Sequence, residues 1–96
     1  MAGTAARRSF QDRQRDQALS AFNKAVVDNP QNEVAQNWLG ILYREGGDYA
    51  RAEGAYQRAI KIKPDAPAPH LNLGVLYDSY LHRPQDAQRV LRKGLF

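Results

Sequence analysis

LGILYREGGDYARA, residues 39–52, decides how this chain folds. Its Gly46-Gly47 pair follows an apolar run and precedes a helix-like segment. A phosphate-cradling loop sits in that context, and so does a tight turn between two packed helices. A Walker-type loop needs Gly-x4-Gly-Lys-Ser/Thr after a strand, with the lysine reaching the phosphates. Here Gly47 is followed by Asp48, whose carboxylate repels phosphate, and both flanks have helical spacing. The stretch reads as helix–turn–helix, and no nucleotide site is expected in it.

Upstream, Val34, Ala35, Trp38, Leu39, Ile41 and Leu42 recur at helical spacing and predict a helix over 33–45 with a broad apolar face. Asn32 is placed to cap it, and Glu33 suits the positive end of the helix dipole. The glycine pair stops it, because glycine takes up left-handed backbone without a Cβ penalty. Downstream, a second helix is expected over 49–61, with Ala52, Tyr56 and Ala59 as a small–bulky–small stripe. Small residues let helix backbones approach, and the aromatic fills the space between them. Pro64 closes the unit.

The unit repeats with a period of 34 residues: LGILY at 39–43 returns as LGVLY at 73–77. The same shift carries Ala18 to Ala52, Phe22 to Tyr56, Ala25 to Ala59 and Pro30 to Pro64. A third copy of the stripe is Ala87, Leu91 and Gly94. Gly40 and Gly74 stand at matching mid-helix places, where glycine costs roughly 1 kcal/mol against alanine, so a tight helix crossing is expected at each.

Leu-Gly-x-x-Tyr, then Gly-Asp-Tyr, then Ala-x3-aromatic-x2-Ala and a closing proline resemble the tetratricopeptide repeat. The resemblance implies an all-α, right-handed superhelical solenoid of antiparallel helix pairs, here about 2.5–3 units and 5–6 helices. It divides a single domain, 1–96, into a degenerate first repeat at 1–32, a second at 33–66, and a third at 67–96 that is incomplete at its C-terminus.

Two departures matter. In the first repeat Ala5, Ala6 and Ser9 replace Leu-Gly and Tyr, and Arg13 stands where the second repeat has Gly47. Residues 5–28 are then either a degenerate hairpin with a frayed first helix, the reading favoured by the repeat, or one continuous helix of roughly 24 residues. The continuous helix would leave a hydrophobic slot beside the second repeat for another chain. In the third repeat, Gly74 to Ala87 spans 13 positions against 12 from Gly40 to Ala52, and the turn has no glycine. Pro84 is expected to start the last helix there. Val90, Leu91, Leu95 and Phe96 are candidates for an uncovered apolar end that favours self-association into a homo-oligomer.

The resemblance further implies that the first helix of each pair lines a concave groove. The groove positions map to Val34, Asn37, Ile41, Arg44 and Glu45, then Ala68, Leu71, Val75, Asp78 and Ser79. Apolar in the middle and charged at one edge, that stripe suits an extended peptide or a partner helix. The carboxylate clamp of some family members is not expected, since only Asn72 fits it and Asn37 and Ile41 stand where other clamp residues belong. The implied function is a non-catalytic protein–protein scaffold; the alternative is a recruiting or regulatory part of a larger multidomain enzyme.

Other chemistry has little footing. The two histidines, His70 and His82, have no carboxylate cluster at ligand spacing, so no metal or other cofactor is expected. His70 is assigned to packing within its hairpin and His82 to an exposed turn. Trp38, Tyr43 and Tyr77 are assigned to the core. The net charge of +4 is mild, and Asp12, Asp16 and Asp86 interleave with the terminal arginines, which argues for solvated faces over a nucleic-acid footprint. No apolar run approaches the ~20 residues of a membrane span. The N-terminus does not read as a secretory leader. The lack of cysteine fits a reducing or an oxidising compartment. A cytoplasmic location is expected, or a periplasmic one if a leader has been removed.

Overall fold

A computed structural model of the chain describes the backbone of residues 2–95 and the side chains of residues 10–93. The described residues form α1 (Ala2–Asp28), α2 (Glu33–Glu45), α3 (Tyr49–Ile62), α4 (Pro67–Val75), a π-helical turn over Leu76–Tyr80, and α5 (Pro84–Leu95). Each helix packs on the next in chain order, and α2 also meets α4 across the stack.

The second repeat follows its sequence closely. The Asn32 side chain accepts the Ala35 N–H at 3.0 Å and opens α2. At the other end the Gly47 N–H bonds the Arg44 carbonyl and the Asp48 N–H bonds the Tyr43 carbonyl, both at 2.9 Å. Together these two bonds make a Schellman turn. Gly47 takes φ +82°, while Gly46 stays right-handed at −83°. Asp48 then caps α3 by accepting the Arg51 N–H at 3.3 Å. Ala52, Tyr56 and Ala59 are fully buried. The Tyr56 ring lies so close over Gly40 that any Cβ there would collide with it. The mid-helix glycine is therefore a contact surface.

The third repeat reproduces that crossing with Leu91, whose Cγ would sit 2.6 Å from a Cβ on Gly74. Its hairpin absorbs the extra residue inside the helix: the Leu81 N–H bonds the Leu76 carbonyl at 2.9 Å, a five-residue step. The chain closes when the Arg83 N–H reaches the Tyr77 carbonyl, the counterpart of the Asp48–Tyr43 bond with one residue more. The left-handed position that Gly47 fills in the second repeat falls on His82, at φ +54°. Pro84 begins α5, as expected.

The first repeat corrects the favoured reading. α1 runs unbroken over Ala2–Asp28, with no hairpin. No glycine or proline lies between Ala5 and Asp28 to stop it, and Arg13 supplies none of the freedom of Gly47. Its contact with α2 is antiparallel: Phe22 stacks on Trp38 at 5.9 Å and 7°, and Arg15 reaches Gly46. Beyond that point α1 continues past the end of α2.

Trp38 is also corrected. It is 45% exposed and covered on one face by Phe22, because the hairpin partner expected beside it is missing from that side. His70 is buried as expected, with Nε2 donating to the Pro64 carbonyl at 2.7 Å. Of the acids among the terminal arginines, Asp12 pairs with Arg15, and Asp86 with Arg83 and Arg89.

Candidate functional site

The ten groove positions lie on α2, α4 and the π turn, and none is fully buried. Val34 is 57% exposed and Leu71 58%, whereas Leu39 of α2 and Leu73 of α4 are buried. Ile41 is partly buried against the core cluster, and Val75 is partly buried too. Glu45, Ala68, Asp78 and Ser79 are exposed, and Asn37 and Arg44 are partly so. The stripe is therefore an aliphatic surface with a charged edge.

Two polar features lie outside the groove positions that the repeat register marks. Asn72 donates from its amide nitrogen to the Asn37 Oδ1 at 2.9 Å and so ties α4 to α2. That bond leaves Asn72 engaged with a neighbour. The second feature is Tyr80, to which sequence reasoning gives no role. Tyr80 stacks on Tyr49 with ring centroids 5.2 Å apart, and the Arg44 guanidinium lies 5.6 Å from its ring centre. The extra residue between Gly74 and Ala87 is the available signal, but its length alone cannot say which side chain the insertion brings to Arg44; Tyr80 itself stays 39% exposed.

Beneath this edge the core holds two perturbed phenols. Burial pushes the Tyr56 hydroxyl up, Arg44 pulls it back, and Glu45 and Tyr80 add to the rise. Tyr77 is pushed from 10.0 to about 12, first by burial and then by the Glu53 carboxylate, against the opposing pull of Gln57 and Arg83. The Gln57 amide donates to the Tyr77 hydroxyl at 3.3 Å, and Arg83 lies 4.7 Å over the ring. These contacts lock the π turn onto α3.

Two of the four residues expected at an apolar end, Val90, Leu91, Leu95 and Phe96, have described side chains. Leu91 packs over Gly74 and Val90 against the core, both partly buried. The side chains of Leu95 and Phe96 lie outside the described residues. Among the described residues no group of His, Cys, Asp and Glu is placed to hold a metal ion, and no helix is long and apolar enough to cross a membrane.

Residues 4–67 match the family model described as tetratricopeptide repeat. The chain belongs to the tetratricopeptide-repeat family. Its fold resembles the crystal structure of MamA, with a TM-score of 0.81 and 26% identity over 90% of this chain and 50% of that one. A second MamA structure, MamA AMB-1, matches at 0.76 and 21% over 88% and 46%, a likeness of fold alone. Both place the helices in an all-α, right-handed superhelical solenoid of antiparallel pairs. In sequence, 47 residues are 43% identical to probable UDP-N-acetylglucosamine–peptide N-acetylglucosaminyltransferases named SPINDLY from Solanum lycopersicum and Petunia hybrida. That stretch is 49% of this chain but 5% of the length of either relative.

Proposed function

We propose that this tetratricopeptide domain is a non-catalytic scaffold that holds an extended peptide or a partner helix across α2 and α4. The observation that carries the reading is the outward pair Val34 and Leu71, more than half exposed on helices whose other large aliphatics pack inward. Aliphatic contact gives such a surface its affinity, and the charged edge sets register. The test is capture of partners from a native cell extract by wild type and by Val34→Glu with Leu71→Glu. Both sites are exposed, so circular dichroism and melting stay near wild type while capture is lost. Capture that survives both substitutions removes the groove as the site. Ile41 and Val75 are poorer probes because each is partly buried.

The SPINDLY match supports a second reading, that the domain recruits substrates or regulates catalysis within a larger multidomain enzyme. A native polypeptide far heavier than 10.8 kDa on immunoblots would favour it. The continuous α1 supports self-association as a further property. It leaves an open cleft of about 460 Å³ lined by Gln11, Gln14, Arg15, Ala18, Leu42 and Glu45, where another chain would pack. A strict monomer in light scattering at high concentration rejects it.

A further inference from the structure

Arg44 differs from the other well-placed arginines of the chain. Arg15, Arg51, Arg83 and Arg89 each hold a carboxylate of their own domain within 4.0 Å. Among the described residues, no carboxylate stands within that distance of Arg44, and its guanidinium makes no hydrogen bond to a protein group. It is partly buried, and its one specific contact is the Tyr80 ring at 5.6 Å. Tyr80 is itself braced by Tyr49 at 5.2 Å.

A cation over an aromatic face is attracted by the ring but keeps its edge N–H donors free. A guanidinium held in place and partly out of water is suited to a planar, two-oxygen acceptor, because its fork matches a carboxylate and little further order is lost on binding. Glu45 and Asp78 are exposed on the same groove, so a run of acids on the partner is repelled and a single carboxylate is admitted.

We propose that Arg44, held against Tyr80, seats one Asp or Glu side chain of the partner, so that the groove selects an extended peptide with a lone acid beside an aliphatic stretch. This rests on the groove reading above. It gives the one-residue insertion of the third repeat a role: the π turn brings Tyr80 to Arg44, and Arg44 becomes a fixed donor.

The test is selection from a displayed library of random dodecapeptides, with linkers at both ends so that only side-chain carboxylates are offered. Wild type should enrich peptides with aliphatic residues and one acid at a constant offset. Arg44→Gln should enrich aliphatic peptides without that acid, and bind the wild-type winners roughly tenfold or more weakly. Tyr80→Phe should keep the acid preference, and Tyr80→Leu should lose it while still enriching aliphatic peptides; loss of both selections on Tyr80→Leu would mark the ring as merely structural and overturn its role here. Aliphatic winners with no fixed acid overturn this inference and leave the groove reading standing. Winners that bind Val34→Glu with Leu71→Glu unchanged overturn both, as does a selection that enriches nothing. Enrichment only from a library with free C-termini overturns the side-chain assignment.

Discussion

The second and third repeats solve the same packing problem with different turns. Each brings a bulky side chain onto a glycine of the preceding helix, Tyr56 onto Gly40 and Leu91 onto Gly74. Each closes its hairpin on the carbonyl of the matching tyrosine, Tyr43 or Tyr77. The second does so with Gly47 left-handed and Asp48 as a cap; the third does so with a π turn, His82 left-handed and Arg83 in the capping place. The helix crossing is what both repeats keep. An extra residue is pushed into the hairpin turn, and Tyr80 there meets Arg44 and Tyr49.

The largest effect should separate the two crossings. Tyr56 is fully buried and Leu91 only partly so. Tyr56→Ala should cost about 3–5 kcal/mol in urea unfolding, and Leu91→Ala about 2 kcal/mol, near the low end for a truncated aliphatic. Equal losses would mean that the two crossings carry the same weight, against the difference in their burial.

The turns should respond with opposite signs. A methyl group on Gly47 would meet nothing within 4 Å, so Gly47→Ala bears only the strain of left-handed backbone at φ +82° and should destabilise by about 1 kcal/mol. His82 already bears that strain at φ +54°, so His82→Gly should stabilise by up to about 1 kcal/mol. Melting curves of the two variants decide the matter, and a loss on His82→Gly would show that the histidine ring makes a stabilising contact of its own.

The last effect is absent at neutral pH and opens only in alkali. Tyr77 is held neutral up to about 12 in the folded chain against an ordinary 10.0. A phenol with a raised folded value contributes stability that is whole below pH 10 and is lost as pH climbs from 10 towards 12. Tyr77→Phe should flatten that part of the stability profile. Absorbance titration of the phenolates follows it.

Much of the second repeat is legible residue by residue. Asn32, Asp48, Gly47 and the alanine–tyrosine stripe act through neighbours close in the chain, and local rules read such signals well. The first repeat departs from expectation because repeat periodicity favours a hairpin where the local residues hold no helix breaker, and the local residues prevail. Spacing alone puts Trp38 in the core, although its covering depends on that hairpin. The positions proposed as an aliphatic groove come from the repeat register. The Arg44–Tyr80–Tyr49 edge does not, since those rings come from α3 and a turn 31 positions further on.

The amino-acid sequence by itself determined the family, the 34-residue period, the ends of α2 and α3, and the glycine crossings, because each depends on residue types at fixed local spacing. Tertiary structure alone decided that Trp38 is covered on one face only, that the inserted residue becomes a π turn, and that Tyr80 meets Arg44. Those outcomes depend on which of several low-cost backbone paths lets the fixed crossings form, and that choice is made by packing between elements.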